Sequence, residues 1–119
     1  MIACTGLSGT LTGTTMLTGC TGGHTGGSST ALGAEIASGG TITWASGSTT
    51  TVGKPTIAAV SESLCPTQPG TTVGKADSVK ATVTDDRGNG ITIPGTFSGI
   101  ACLYENDAVS TPAPGFKIS

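Results

Sequence analysis

The chain reads as one all-β domain, an antiparallel β-sandwich or barrel of about seven to eight strands pinned by two disulfides. Three observations predict it. Apolar residues alternate with small hydroxyl residues, as they do in strands buried on one face. Gly and Pro turn signals recur every eight to twelve residues, and no stretch carries a helical period of ordinary length. The aromatic content is only four residues in 119, against twenty-three threonines, twelve serines and twenty glycines. A core that thin is commonly supplemented by disulfides, and four cysteines are present.

The first segment, Ile2 to Leu17, reads as a hairpin or bent strand that turns near Gly13, with Leu7 and Leu11 in phase. Residues 21–29 hold Thr-Gly-Gly twice around His24 and read as a flexible glycine-rich loop. Leu32, Ala34 and Ile36 alternate as a short strand that Gly39-Gly40 breaks. Thr41 to Trp44 is the strongest strand signal, with Ile42 and Trp44 on one face; Ala45 to Ser48 turn it into Thr49–Val52. Thr56 to Val60 follows Pro55 as a further strand, and Cys65-Pro66 to Gly70 is a loop. Val79, Ala81 and Val83 alternate with polar neighbours. Asp85 to Gly90 is a tight polar turn, after which Ile91 and Ile93 restart a strand. Ile100, Cys102 and Tyr104 are in phase within Phe97–Tyr104. Residues 110–119 form a proline-bounded tail carrying Phe116 and Ile118.

Four cysteines allow three connectivities, and sequence does not choose among them. Cys4–Cys20 with Cys65–Cys102 is favoured because each pair closes one contiguous stretch. Disulfides persist outside the reducing cytosol. Met1 stands directly before Ile2, Ala3 and Cys4, where an exported precursor carries its leader, so the chain reads as a mature domain with a start methionine in the leader's place. The rival reading is a leaderless cytosolic protein with reduced cysteines.

Composition excludes several function classes. The net charge is -2 and the five Lys and Arg are scattered, which leaves no basic footprint for nucleic acid. No apolar run is long enough for a membrane-spanning helix. Cys-x-x-Cys spacing is absent and His24 is the only histidine, so no metal site and no cofactor are expected. His24 sits among glycines that hold no rotamer, and no Gly-x-Ser-x-Gly elbow exists, so no catalytic residue is assigned. The carboxylates Glu35, Glu62, Asp77, Asp85, Asp86, Glu105 and Asp107 lie at turns and strand edges, where solubility accounts for them. Asp85, Asp86 and Asn89 offer oxygens in one turn, but the spacing fails the EF-hand pattern, and Asx side chains bonding their own backbone fit better. The threonines follow no fixed period of the kind a flat crystal-binding face needs.

The segment Gly40 to Val52, Gly-Thr-Ile-Thr-Trp-Ala-Ser-Gly-Ser-Thr-Thr-Thr-Val, resembles a family of small secreted, disulfide-containing Thr/Gly-rich proteins of actinobacteria. The opening Ile-Ala-Cys-Thr-Gly-Leu-Ser-Gly-Thr and the Leu-Thr-Gly-Cys-Thr-Gly of residues 17–22 are similar to the start of the same family. The resemblance covers about a third of the chain and implies export, disulfides, a β fold and no assigned activity.

The reading that follows is a non-enzymatic exported structural or interaction domain of the cell envelope or extracellular space, with itself or envelope components as partner. In the self-assembling version, Phe116 and Ile118 of the tail add to a neighbour's sheet edge; folding back onto the parent domain is the favoured alternative. A second reading is a carbohydrate- or lipid-binding module with a cleft near Trp44, to which Tyr104 adds a second ring. A third is a hydrolase using two convergent carboxylates.

Overall fold

The computed structural model describes residues 1–21, the backbone of 28–30, and residues 39–119. Within them lie ten strands: β1 (Ile2–Gly9), β2 (Thr15–Thr21), β3 (Ser28–Thr30), β4 (Gly40–Trp44), β5 (Thr49–Val52), β6 (Thr56–Ala59), β7 (Val73–Arg87), β8 (Gly95–Tyr104), β9 (Val109–Ser110) and β10 (Phe116–Ile118). Every pairing is antiparallel, in the order β6-β7-β5-β4-β3-β2-β1-β10-β8-β9, and β7 pairs again with β8. The ladder thus returns on itself through eight strands, and the sheet curls into a half-barrel around its apolar face.

The predicted opening hairpin is present, with its turn at 10–14. Cys4 stands directly opposite Cys20 and Leu7 opposite Leu17 in one unbroken register. At Thr5 and Gly19 the pairing skips, Gly19 adopts φ +62°, and the buried positions change parity from Ile2, Cys4 and Cys20 to Leu7, Leu17 and Thr15. One left-handed glycine therefore lets both halves of the hairpin face the core. Thr15 is fully buried, and its Oγ1 meets no hydrogen-bond partner among the described residues.

Two expectations change around the glycine-rich loop. Thr21 belongs to β2 and Ser28–Ser29 to β3, so strand reaches into both ends of the predicted loop. His24, Glu35 and the Leu32–Ile36 strand lie outside the described residues.

Strand β7 is longer than the Val79–Val83 pattern predicts, running fifteen residues to Arg87. Its upper half pairs β5 and its middle pairs β6, both on the same edge. The polar stretch Asp85–Arg87 is ladder rather than turn, with Asp86 opposite Thr50. Ile91 and Ile93 do not restart a strand: β8 begins at Gly95, Ile91 plugs the core, and Ile93 is exposed. The Asp86 carboxylate takes the N–H groups of Asn89 and Ile91, which winds the chain around it, and Pro94 has no N–H for a ladder.

Strand β8 is covered on both sides. Phe97 and Ala101 face the main core, together with Ile2, Leu17, Ile42, Val79, Val83 and Ile118. The phase of Cys102 and Tyr104 is real but belongs to the opposite face. There Ala76, Cys102 and Ser110 form one cross-strand row, buried beneath the segment that the Cys65–Cys102 disulfide ties down. Tyr104 donates its hydroxyl to the Pro66 carbonyl, and Ser110 lies 2.9 Å from that hydroxyl.

The tail folds back into its own sheet. β10 pairs β1 on one side, Ile2 opposite Ile118, and β8 on the other, Ile118 opposite Phe97. Phe116 and Ile118 are buried, and the Phe116 ring stacks on Phe97 with centroids 5.1 Å apart. Both edges of β10 are thus occupied within the chain, and it offers no free edge to a neighbour.

The disulfides are Cys4–Cys20 and Cys65–Cys102, closing 16 and 37 residues of sequence. Replacing both cysteines by alanine is expected to cost about 3 kcal/mol for the first pair and about 4 kcal/mol for the second, from loop closure; denaturant unfolding of the two double variants gives the order. Thr15→Val removes a buried, unpartnered hydroxyl at nearly constant shape, and the same measurement is expected to show a gain of about 1 kcal/mol.

Candidate functional site

The four residues singled out for ligand or partner contact, Trp44, Tyr104, Phe116 and Ile118, are at most 4% exposed. They are also divided: Trp44, Phe116 and Ile118 belong to the main core, Tyr104 to the small one on the outer face. None presents a ring or side-chain face at the surface. Trp44 is buried, and its indole N–H is taken up by a polar cluster.

That cluster grows from a bulge. The register of β5 against β7 shifts at Thr51/Val52, where Asp85 and Val83 are the successive partners, so Thr84 is looped out of the count. An extra residue reverses the inside–outside alternation of the strand. Asp86 consequently joins the cross-strand row Ile42–Thr50–Asp86. Thr50, fully buried, accepts the Trp44 indole N–H at 2.8 Å and an Asn89 amide N–H at 3.1 Å, and donates its own proton to Asp86 Oδ1 at 2.8 Å. Asn89 gives its other amide proton to Asp86 Oδ1 at 2.7 Å, and Ser48 donates to Asn89 Oδ1 at 3.2 Å. Asp86 Oδ2 accepts the backbone N–H groups of Asn89 and Ile91, each at 3.2 Å.

Each Asp86 oxygen therefore takes two donors, the full capacity of a carboxylate. Desolvation alone pushes its pKa up. The bonds from Asn89, Thr50 and the Ile91 and Asn89 backbone outweigh that and hold it below the ordinary 3.8. The Asx reading of this turn matches the geometry, whereas the Thr50–Asp86 link was invisible in sequence because it depends on the bulge. Asp85 pairs instead with Arg87 at 3.2 Å, and its side chain is half exposed.

The remaining described carboxylates are dispersed. Asp77 is buried beside Lys75 at 3.5 Å. Asp107, in a left-handed conformation (φ 73°), accepts from the Thr12 backbone N–H and hydroxyl and clamps the β1–β2 turn to the β8–β9 turn. Glu62 opens a 3-10 turn over Glu62–Leu64. Among the described residues no three His, Cys, Asp or Glu gather as a metal site, and no helix is long and apolar enough to cross a membrane.

Among the described residues the surface includes one open sheet edge and two depressions. All four residues of β6 are exposed, and among the described residues β6 pairs with β7 alone. A groove of about 230 Å³ runs between β8 and the chain that leads into β10, lined by Ser98, Ile100, Pro112, Pro114 and Lys117 among others. A wider, polar depression of about 360 Å³ lies at the far end, between Gly70–Thr72 and Glu105–Asn106.

No protein-family model, curated protein or solved structure matches this chain.

Asp86→Asn keeps the shape but turns two donors against an amide N–H₂, with an expected loss of about 2–3 kcal/mol. Because the native pKa is lowered, the contribution of Asp86 is present above its unfolded value and disappears as pH falls through the native one. Urea midpoints measured from pH 6 downward are expected to drop for the parent below about pH 4 and to stay flatter for Asp86→Asn. Trp44 fluorescence reports the same transition, with blue emission that moves red only on unfolding.

Proposed function

We propose that this chain is a non-enzymatic domain that works outside the reducing cytosol as a structural or interaction module of the cell envelope or extracellular space. The observation that carries the reading is the division of labour between side chains and backbone. Among the described residues, two groups with chemical potential serve the fold: Asp86 takes four internal donors, and the Trp44 indole N–H is given to Thr50. The open features are a sheet edge at β6 and a groove along β8. Interaction through strand edges needs no catalytic constellation, since main-chain bonds give affinity and flanking pockets give selectivity.

Two disulfides favour an oxidising location, in keeping with the secreted actinobacterial proteins that the sequence resembles. Self-association is the variant of this reading that uses a second copy as partner. It runs through β6, because β10 is already paired on both sides.

The test is co-sedimentation of the oxidised protein with actinobacterial cell-wall fragments, paired with light scattering behind size exclusion. Saturable retention on the wall is expected. Growth of the scattering mass with concentration, lost when Ile57→Lys charges the β6 edge, identifies the self-associating variant. Protein that stays in the supernatant and monomeric at all concentrations overturns the reading.

A further inference from the structure

The groove along β8 contains an unmatched pair of backbone groups, and their position follows from the ladders on either side. In an antiparallel pair, residues alternate between exchanging both backbone bonds and exchanging none. Gly53 N–H donates to Thr82 O and Val60 N–H to Ala76 O, both at 2.9 Å, so the even residues of β7 face β5 and β6. The β7–β8 register matches even with even, Ser78 opposite Ile100 and Thr82 opposite Thr96. The even residues of β8 therefore turn their N–H and C=O away from β7.

On that outer side all but one find a partner in turn. Thr96 exchanges both bonds with Ser119, at 2.7 and 3.0 Å. Ser98 stands opposite Lys117 in the same register, Cys102 opposite Ser110, and Tyr104 N–H donates to Ala108 O at 2.9 Å. Ile100 is the even residue left between. Continuing the β10 register would bring Gly115 opposite it, but the Gly115 N–H is given to Pro112 O at 2.9 Å. Continuing the β9 register would bring Pro112, which has no N–H. The chain from Thr111 to Gly115 bows away, and the Ile100 N–H and C=O face the groove without a partner among the described residues.

We propose that this groove binds the end of an extended peptide: Ile100 exchanges both backbone bonds with one residue of the partner, and Lys117 holds its terminal carboxylate. The inference rests on the interaction-domain reading and names the partner class for it. A donor and an acceptor spaced on one strand edge match one residue of extended chain at both points, the geometry of strand addition. Ile100, Pro112 and Pro114 supply apolar walls, which suit a small apolar side chain. Lys117 is exposed and forms no ion pair among the described residues, while Lys75 and Arg87 do.

The test is an amide-resolved NMR titration of the oxidised full chain with N-acetyl-Ala-Ala, its C-terminal amide, and N-acetylglucosamine. A saturating shift of the Ile100 amide is expected with the free acid, roughly tenfold weaker with the amide, as for loss of one charge-assisted bond. Lys117→Gln is expected to bring the acid to the level of the amide, and Ala113→Trp, which crowds the mouth, to abolish both shifts. An Ile100 amide that no peptide moves, that responds equally to acid and amide, or that saturates with the sugar instead overturns the proposal. If Ile100 is unmoved while the same preparation still sediments with cell wall, the groove is refuted and the interaction-domain reading stands.

Discussion

Closure of the sheet depends on three residues. β1 and β8 do not pair with one another; Phe116, Lys117 and Ile118 lie between them and bond to both. For so short a strand to hold, it must be seated closely, and two glycines permit that. A Cβ at Gly99 would sit 2.4 Å from the Phe116 ring, and one at Gly115 would sit 2.0 Å from the Cys4 carbonyl oxygen, where φ is also +86°. Cys4, opposite Phe116, is in turn bridged to Cys20. The disulfide, the stacked rings and the closing strand therefore meet at one corner of the barrel, and the side chains there belong to the same core cluster as those of β1–β2 and β7–β8.

The opposite corner is held by polarity rather than packing. A carboxylate without an adjacent cation is stable there because four neutral donors converge on it, and each donor belongs to a group that itself needed a partner in a dry setting. Thr50 is the hinge of that arrangement. Its hydroxyl accepts two bonds and donates one, so the indole of Trp44, the amide of Asn89 and the charge of Asp86 are coupled through a single oxygen. A core with one tryptophan and little aromatic volume gains fixed side-chain positions from such a network.

Much of this was legible in the chain, and the illegible parts share a cause. Alternation located β4, β5 and the core face of β7, because Ile42, Trp44, Val79 and Val83 obey the two-residue period without interruption. Of the three disulfide connectivities left open, the favoured one, in which each pair closes one contiguous stretch, is the one formed. Parity arguments failed where the chain changes phase: at Gly19, where a left-handed residue turns the hairpin over, and at Thr84, where one looped-out residue brings Asp86 inside in place of Asp85. Sequence also could not announce that β8 is covered twice. Ile100, Cys102 and Tyr104 look like a core face because three apolar residues in phase carry no mark of which core they enter. The groove is the most hidden feature, since it is made by a mismatch of two registers and involves main-chain atoms common to every residue type.

The pairing of Ile2 with Ile118 has a consequence for how the molecule is made. β1 has an open edge until Phe116–Ile118 follows it much later in the chain, so the closed sheet cannot assemble vectorially. Contacts of such sequence separation are slow to form. That delay is exposure to aggregation. Until it ends, β2 holds β1 in register on its other side, with the Cys4–Cys20 bridge as its tie.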